Sequence, residues 1–174
     1  QETYLPAFEA LVKEGNVEGV MGAYNRVNGQ PASGSAFYLQ HLLRDEWGFD
    51  GYVVSDCGAI KDIHQFHKVT NTPEESAALA INSGLNLNCG SVFKVLEKSI
   101  EQGLLEESKL DESLVQLYMT RFKLGFFDSK ESNPYHQISA EVVDSEAHRK
   151  IAYEAAVRSL VLLKNDDVLP LEKT

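Results

Sequence analysis

Basic residues are scarce in this chain. Sixteen Lys and Arg stand against 26 Asp and Glu, giving a net charge of −10 and a pI of about 4.9. A nucleic-acid binder needs a basic face to displace phosphate counterions, so this balance argues against that class. Acidity fits a neutral substrate such as a sugar without singling one out, and its plain reading is solubility. Long apolar runs are also missing. No stretch approaches the roughly 20 residues of a membrane-spanning helix. The opening QETYLPAFEALVKEG has neither the basic start nor the apolar stretch of a secretory signal. There is no Gly-x-Gly-x-x-Gly and no phosphate loop after any predicted strand, so dinucleotide binding has no support. Cysteine is limited to Cys57 and Cys89, too few for a disulfide scaffold or a four-thiolate zinc site. The compartment stays open, with a periplasmic or secreted setting favoured over a cytoplasmic one.

What is present is ordinary globular material: 174 residues, 43% hydrophobic and 24% charged, enough for one domain with a core plus the start of another. The apolar spacing predicts an amphipathic helix over about Tyr4 to Gly15, with Leu5, Phe8, Leu11 and Val12 on one face. A buried strand follows near Gly19–Tyr24, then a loop in NRVNGQPASGS, then a helix near Ser35–Trp47 with Leu39, Leu42 and Leu43 inward. GYVVS, Gly51–Ser55, is a second strand, and a long polar loop is expected through HQFHKVTN. Thr72-Pro73-Glu74-Glu75 is a strong helix start, with a capping Thr, a Pro at the first helical position and Glu75 completing a capping box. LNLN is a third short strand. Helices are expected near Val92–Gln102 and from Ser108, the latter burying Leu110, Leu114, Leu117 and Phe122. The polar stretch from Asp128 to Ser145 looks like a linker, and a helix running into a strand, SLVLLKN, closes the chain. Short buried strands alternating with helices mean a parallel sheet. The spacing suits the last three βα units of a (β/α)8 barrel, with an open doubly wound sheet as the alternative.

Several residues can carry chemistry. Asp56 follows the GYVVS strand, and strand C-termini form the active face of parallel α/β proteins; it is either a catalytic carboxylate or a cap for the next turn. Met21, Tyr24 and Asn25, at the end of the first strand, offer an apolar wall with polar tips suited to a sugar, although position alone favours Tyr24 as a core residue with a satisfied hydroxyl. His64 and His67 have a spacing that permits a metal pair but lack convincing partners, and they read as loop or surface residues. Cys57 and Cys89 fall at the same end of neighbouring strands, which are about 4.8 Å apart; they are either bridged or two buried thiols.

The stretches VMGAYNRVNGQPASGS, LLRDEWGFDGYVVSDCGAI, ESAALAINSGLNLNCG, RFKLGFFD and AAVRSLVLLKNDDVLPL together resemble glycoside hydrolase family 3 over nearly the whole length. SDCGAI with NCG after the next strand is similar to the β-xylosidase branch rather than the β-glucosidase branch. The resemblance implies an α/β fold: the last βα units of a TIM-like barrel over residues 1–127, an interdomain linker over 128–146, and the start of an α/β sandwich domain over 147–174. It implies a retaining exo-β-glycosidase, most readily a β-D-xylosidase with β-glucosidase as the alternative. Asp56 would be the nucleophile and Met21, Tyr24, Cys57 and Cys89 would line the sugar subsite, with no cofactor and no metal. The implied partners are a β-linked oligosaccharide or xylo-oligosaccharide and the rest of the same enzyme, with neither nucleic acid nor membrane. Asn86 departs from the family's usual Asp. The resemblance further implies that this chain is a piece. The early strands that grip sugar hydroxyls and the general acid/base would lie outside it, so the chain by itself is expected to be inactive. A non-catalytic carbohydrate-binding module and an unrelated doubly wound enzyme are the competing classes.

Overall fold

The computed structural model describes residues 2–172, which fall into two compact units divided between Phe127 and Asp128. In the first unit, helix α1 (Leu5–Lys13) leads into strand β1 (Gly19–Gly22). Of the predicted apolar face only Val12 is buried, while Phe8 and Leu11 are exposed. β1 is shorter than the sequence predicts and stops before Tyr24. The next residues form a small antiparallel hairpin, β2 (Arg26–Val27) and β3 (Gln30–Pro31). Its tip is Asn28-Gly29, both at positive φ (51° and 85°), the backbone that two-residue hairpins need.

Phe37–Glu46 is helical with wide, π-type turns, and Leu39, Leu42 and Leu43 are buried as expected. β4 (Tyr52–Ser55) pairs in parallel with β1, matching Gly19 to Tyr52 and Gly22 to Ser55. The predicted third strand is reduced to a single parallel bridge between Val54 and Leu87. The expected long polar loop begins later than predicted, because Ala59–Gln65 is a helix, α2. Gly58, at φ 89°, turns the chain into it, and Ala59, Ile60 and Ile63 are buried beneath it. The predicted cap of α3 (Pro73–Asn82) is present: Glu75 N–H donates to Thr72 Oγ1 at 3.1 Å. The reciprocal bond runs one residue further back, with Asn71 N–H donating to Glu75 Oε2 at 2.6 Å.

Val92–Val95 is a 3-10 turn that continues into α4 (Leu96–Glu101), and α5 spans Glu107–Lys123. The core lies between β4 and the helices around it. Val53, Ile60, Ile63 and Leu85 have no accessible surface, and each buried aliphatic side chain of this size is worth about 1.5–3 kcal/mol of transfer free energy. The prediction for α5 needs correcting. Leu114 and Phe122 are exposed, with Val115, Tyr118 and Met119, Leu110 and Leu117 are half-buried, and only Ser113 is buried.

The second unit has short 3-10 turns at Pro134–Gln137 and Ala140–Val142 and helix α6 (Glu146–Ser159). SLVLLKN is not a strand: no sheet partner is present among the described residues, and Leu160 to Leu163 are exposed. An isolated apolar segment has nothing to complete a ladder.

Candidate active site

The parallel ladder brings three chain segments together where β1 and β4 end. Asp56 N–H donates to Gly22 O at 2.9 Å, and Ser55 N–H donates to Leu87 O at 2.8 Å. Asp56 is therefore held between the end of β1 and the 87–89 segment. Its Oδ1 accepts from Cys57 N–H at 2.7 Å, and its carbonyl accepts from Ala59 N–H at 3.1 Å. These bonds fix the turn while leaving the carboxylate half-buried. The two sequence readings of Asp56 coexist, since one oxygen caps the turn and the side chain still reaches the surface.

Cys57 and Cys89 form a disulfide, so of the two alternatives left open by the sequence the bridged one holds. Gly58 N–H also donates to Cys89 O at 2.7 Å. The Tyr24 hydroxyl donates to Cys57 O, which ties the segment after β1 to the turn after β4. Tyr24 is not a core residue: it is 43% exposed. Burial of part of its ring, then the Asp56 and Asp62 carboxylates, raise the pKa of its hydroxyl and keep the proton on it. Met21 is 59% exposed and lies beside Val54 in the register. Asp56, Tyr24, Cys57 and Cys89 thus form one cluster, with Met21 on the adjoining strand. The Asn25 amide donates to Arg26 O at 3.3 Å, outside that cluster.

The two histidines do not converge on a ligand. His64 Nδ1 lies 2.9 Å from Ser76 Oγ, linking α2 to α3, and its pKa is lowered first by burial and then by Lys68 and Lys61. His67 Nδ1 is buried and has no hydrogen-bond partner among the described residues. Among those residues no group of three His, Cys, Asp or Glu is placed to hold a metal ion, and no helix is long and apolar enough to cross a membrane.

Three positions escaped the sequence reading or were underread. Ser55 is 1% exposed, and its Oγ accepts from Cys89 N–H at 3.0 Å. The Asn88 amide is oriented by its neighbours: Oδ1 accepts from Val92 N–H at 3.1 Å and Phe93 N–H at 3.2 Å, leaving Nδ2 to donate to Ser55 Oγ at 3.3 Å. A polar residue at the end of an otherwise apolar strand was the available signal. Asn86, noted only as a departure from a pattern, is the centre of a second network. Its Oδ1 accepts from Val53 N–H at 2.7 Å and from Arg44 Nη2 at 3.0 Å. Its Nδ2 donates to Gln116 Oε1 at 2.7 Å and Ser113 Oγ at 3.2 Å.

The family model for the glycosyl hydrolase family 3 N-terminal domain matches residues 1–119. The chain belongs to glycosyl hydrolase family 3. It is 47% identical over 175 residues to a probable exo-1,4-beta-xylosidase of Aspergillus clavatus, covering 98% of this chain and 23% of that protein. It is 39% identical over 176 residues to a probable beta-D-xylosidase of Arabidopsis thaliana, covering 99% of this chain and 22% of the relative. Among solved structures it resembles the family 3 exo-beta-xylosidase XlnD in complex with a xylobiose aziridine activity-based probe, with a TM-score of 0.85 and 38% identity over 98% of this chain and 22% of that one. A β-glucosidase from Listeria innocua in complex with glucose superposes with a TM-score of 0.78 and 31% identity, over 96% of this chain and 23% of that one. The chain therefore spans under a quarter of the length of these family 3 relatives. Its mixed helix and sheet content is that of the family's N-terminal domain.

Proposed function

We propose that this chain is the C-terminal part of the TIM-like catalytic barrel of a retaining exo-β-glycosidase that removes terminal β-xylosyl units. Residues 1–127 supply barrel units, 128–146 a linker and 147–174 the beginning of a sandwich domain. The observation that carries the reading is the placement of Asp56. A half-buried carboxylate, fixed through Oδ1, stands at the C-terminal end of a parallel strand, where barrels place their chemistry. The exposed Leu87 and α5 face fit surfaces that further barrel units cover.

A retaining glycosidase uses two carboxyl groups about 5–5.5 Å apart. Asp56 attacks the anomeric carbon and must be ionised, while the other protonates the leaving oxygen; that acid is not assigned within this chain. The Asp56 ester then forms as the aglycone departs, and water cleaves it with the acid now acting as base. Met21 supports the apolar face of the sugar. Tyr24, its proton retained, supplies a hydroxyl beside Asp56. No cofactor enters this scheme.

Sugar choice follows from the bridge. Xylose lacks the hydroxymethyl group that glucose carries on C5, and a site excludes glucose by filling that space. The Cys57–Cys89 bridge is a fixed wall directly beside the nucleophile, whereas two thiols could move aside. The β-glucosidase reading rests on the likeness to the Listeria innocua enzyme. The test is kcat/KM of the complete enzyme for aryl β-xyloside and β-glucoside, in wild type and Cys89→Ala. The expected result is a xyloside preference that shrinks roughly tenfold or more in the variant. A wild type favouring glucoside refutes the substrate assignment, and a preference unchanged in Cys89→Ala removes the bridge as its cause.

A further inference from the structure

Ser55 stands immediately before Asp56, yet it faces the other way. Along β4 the side chains alternate, with Val53 and Ser55 buried and Tyr52 and Val54 half-buried. Ser55 is therefore not placed to touch a sugar that meets Asp56. Three of its hydrogen bonds go to the neighbouring segment: Ser55 N–H to Leu87 O at 2.8 Å, Cys89 N–H to Ser55 Oγ at 3.0 Å, and Asn88 Nδ2 to Ser55 Oγ at 3.3 Å. Both acceptor positions of the hydroxyl are filled. Asn88 is itself anchored through Oδ1 to the first N–H groups of the Val92–Val95 turn. A continuous hydrogen-bonded path thus runs from that turn through Asn88 and Ser55 to the backbone of the residue preceding the carboxylate.

We infer that Ser55 is a positioning residue, whose hydroxyl, held by Asn88 and Cys89 N–H, sets where the Asp56 carboxylate meets the anomeric carbon. The inference rests on the reading of Asp56 as nucleophile. It assigns the two links across this junction different tasks. The Ser55 hydroxyl sits behind the carboxylate and governs its placement, while the disulfide sits beside it and governs what fits. The hydroxyl should therefore affect kcat, and the bridge should affect sugar selectivity.

The experiment uses the complete enzyme with an aryl β-xyloside whose glycosylation step is rate-limiting. Ser55→Ala, Ser55→Thr and Asn88→Ala are compared with wild type and with Asp56→Ala. A displacement of the nucleophile by about 1 Å costs on the order of 100-fold. The expected result is a 10- to 100-fold fall in kcat for Ser55→Ala with KM within about twofold of wild type. A smaller fall in the same sense is expected for Asn88→Ala, with recovery to within about threefold of wild type in Ser55→Thr, which restores the hydroxyl. The xyloside-to-glucoside ratio should stay unchanged in all three. Wild-type kcat in Ser55→Ala, with Asp56→Ala inactive, overturns the inference and leaves the nucleophile standing. Activity retained in Asp56→Ala instead overturns the reading beneath it. If Ser55→Ala does not fold, Asn88→Ala decides: a kcat loss at unchanged KM supports the path, and wild-type kcat overturns it.

Discussion

The contact between β4 and the 85–89 segment is closed at two ends by different chemistry. Where β4 begins, Asn86 is 7% exposed, and its amide is saturated by Val53 N–H, Arg44, Gln116 and Ser113. Arg44 adds bonds to Gly51 O at 3.0 Å and Gly84 O at 3.4 Å; burial lowers its pKa, and Asp50 offsets part of that effect. Where β4 ends, Ser55, Asn88 and the disulfide hold the turn, but Asp56 remains half-exposed beside Tyr24. The first end spends its polar groups on itself and can only hold. The second is equally well tied through the backbone and leaves the Asp56 carboxylate half-exposed. Rigidity behind Asp56 and access in front of it are separate provisions, made by Ser55 at the end of the strand and by the turn that follows it.

That contrast can be broken at the closed end first. Asn86→Ala leaves Val53 N–H buried without its acceptor and takes an acceptor from the Arg44 guanidinium. Unsatisfied groups of this kind cost about 1–3 kcal/mol, so a stability loss of about 2–3 kcal/mol is expected. It should appear as a lower denaturation midpoint in the complete enzyme, with kcat per folded molecule unchanged. A kcat loss without a stability loss would mean that the two ends are not separate in function.

A smaller effect is expected where α5 meets the start of β1. Glu18 Oε1 accepts from Lys123 Nζ at 2.8 Å and Thr120 Oγ1 at 2.9 Å, and these bonds lower its pKa, that of Lys123 first. A carboxylate with a depressed folded pKa contributes stability that is fully present above its unfolded value. That contribution is lost as pH falls through the folded one. The pair is exposed and screened, so the contribution is slight. Glu18→Gln should therefore lower the thermal midpoint slightly at neutral pH and match wild type in acid, so that the variant's midpoint falls less as pH is lowered. An unchanged acid limb would show that the pair contributes nothing.

Where local chemistry alone decides, the sequence was readable. Thr72-Pro73-Glu75 capped a helix as expected, Tyr52–Ser55 of the predicted Gly51–Ser55 became a strand, and the position of Asp56 after it followed from that strand. Family motifs carry the roles proposed for Met21, Tyr24, Cys57 and Cys89, which spacing alone left undecided. What stayed hidden depends on partners far away in the chain. α2 is only seven residues long, and its buried Ala59, Ile60 and Ile63 are interrupted by Lys61, Asp62 and His64, so the polar residues dominated the reading. Leu114 and Phe122 of α5 have helical spacing but no covering layer among the described residues. The third strand shrank to one bridge because Asn86 and Leu87 N–H both donate to Val53 O, which breaks the regular ladder. Ser55 looked like an unremarkable serine because its three partners lie 32 to 34 residues further along the chain.

The central claim is that Asp56 is the nucleophile, and the most direct measurement is chemical rescue. In the complete enzyme Asp56→Ala should lose turnover of an aryl β-xyloside by on the order of 10⁴-fold or more. The circular dichroism spectrum should not change, since the side chain is half-exposed and contributes no core contact. Added azide should restore part of the rate by attacking the anomeric carbon in place of the missing carboxylate, and the product should be the glycosyl azide of inverted configuration. Near-normal activity in Asp56→Ala, or a folded but inactive variant whose azide product keeps the original configuration, would contradict the assignment.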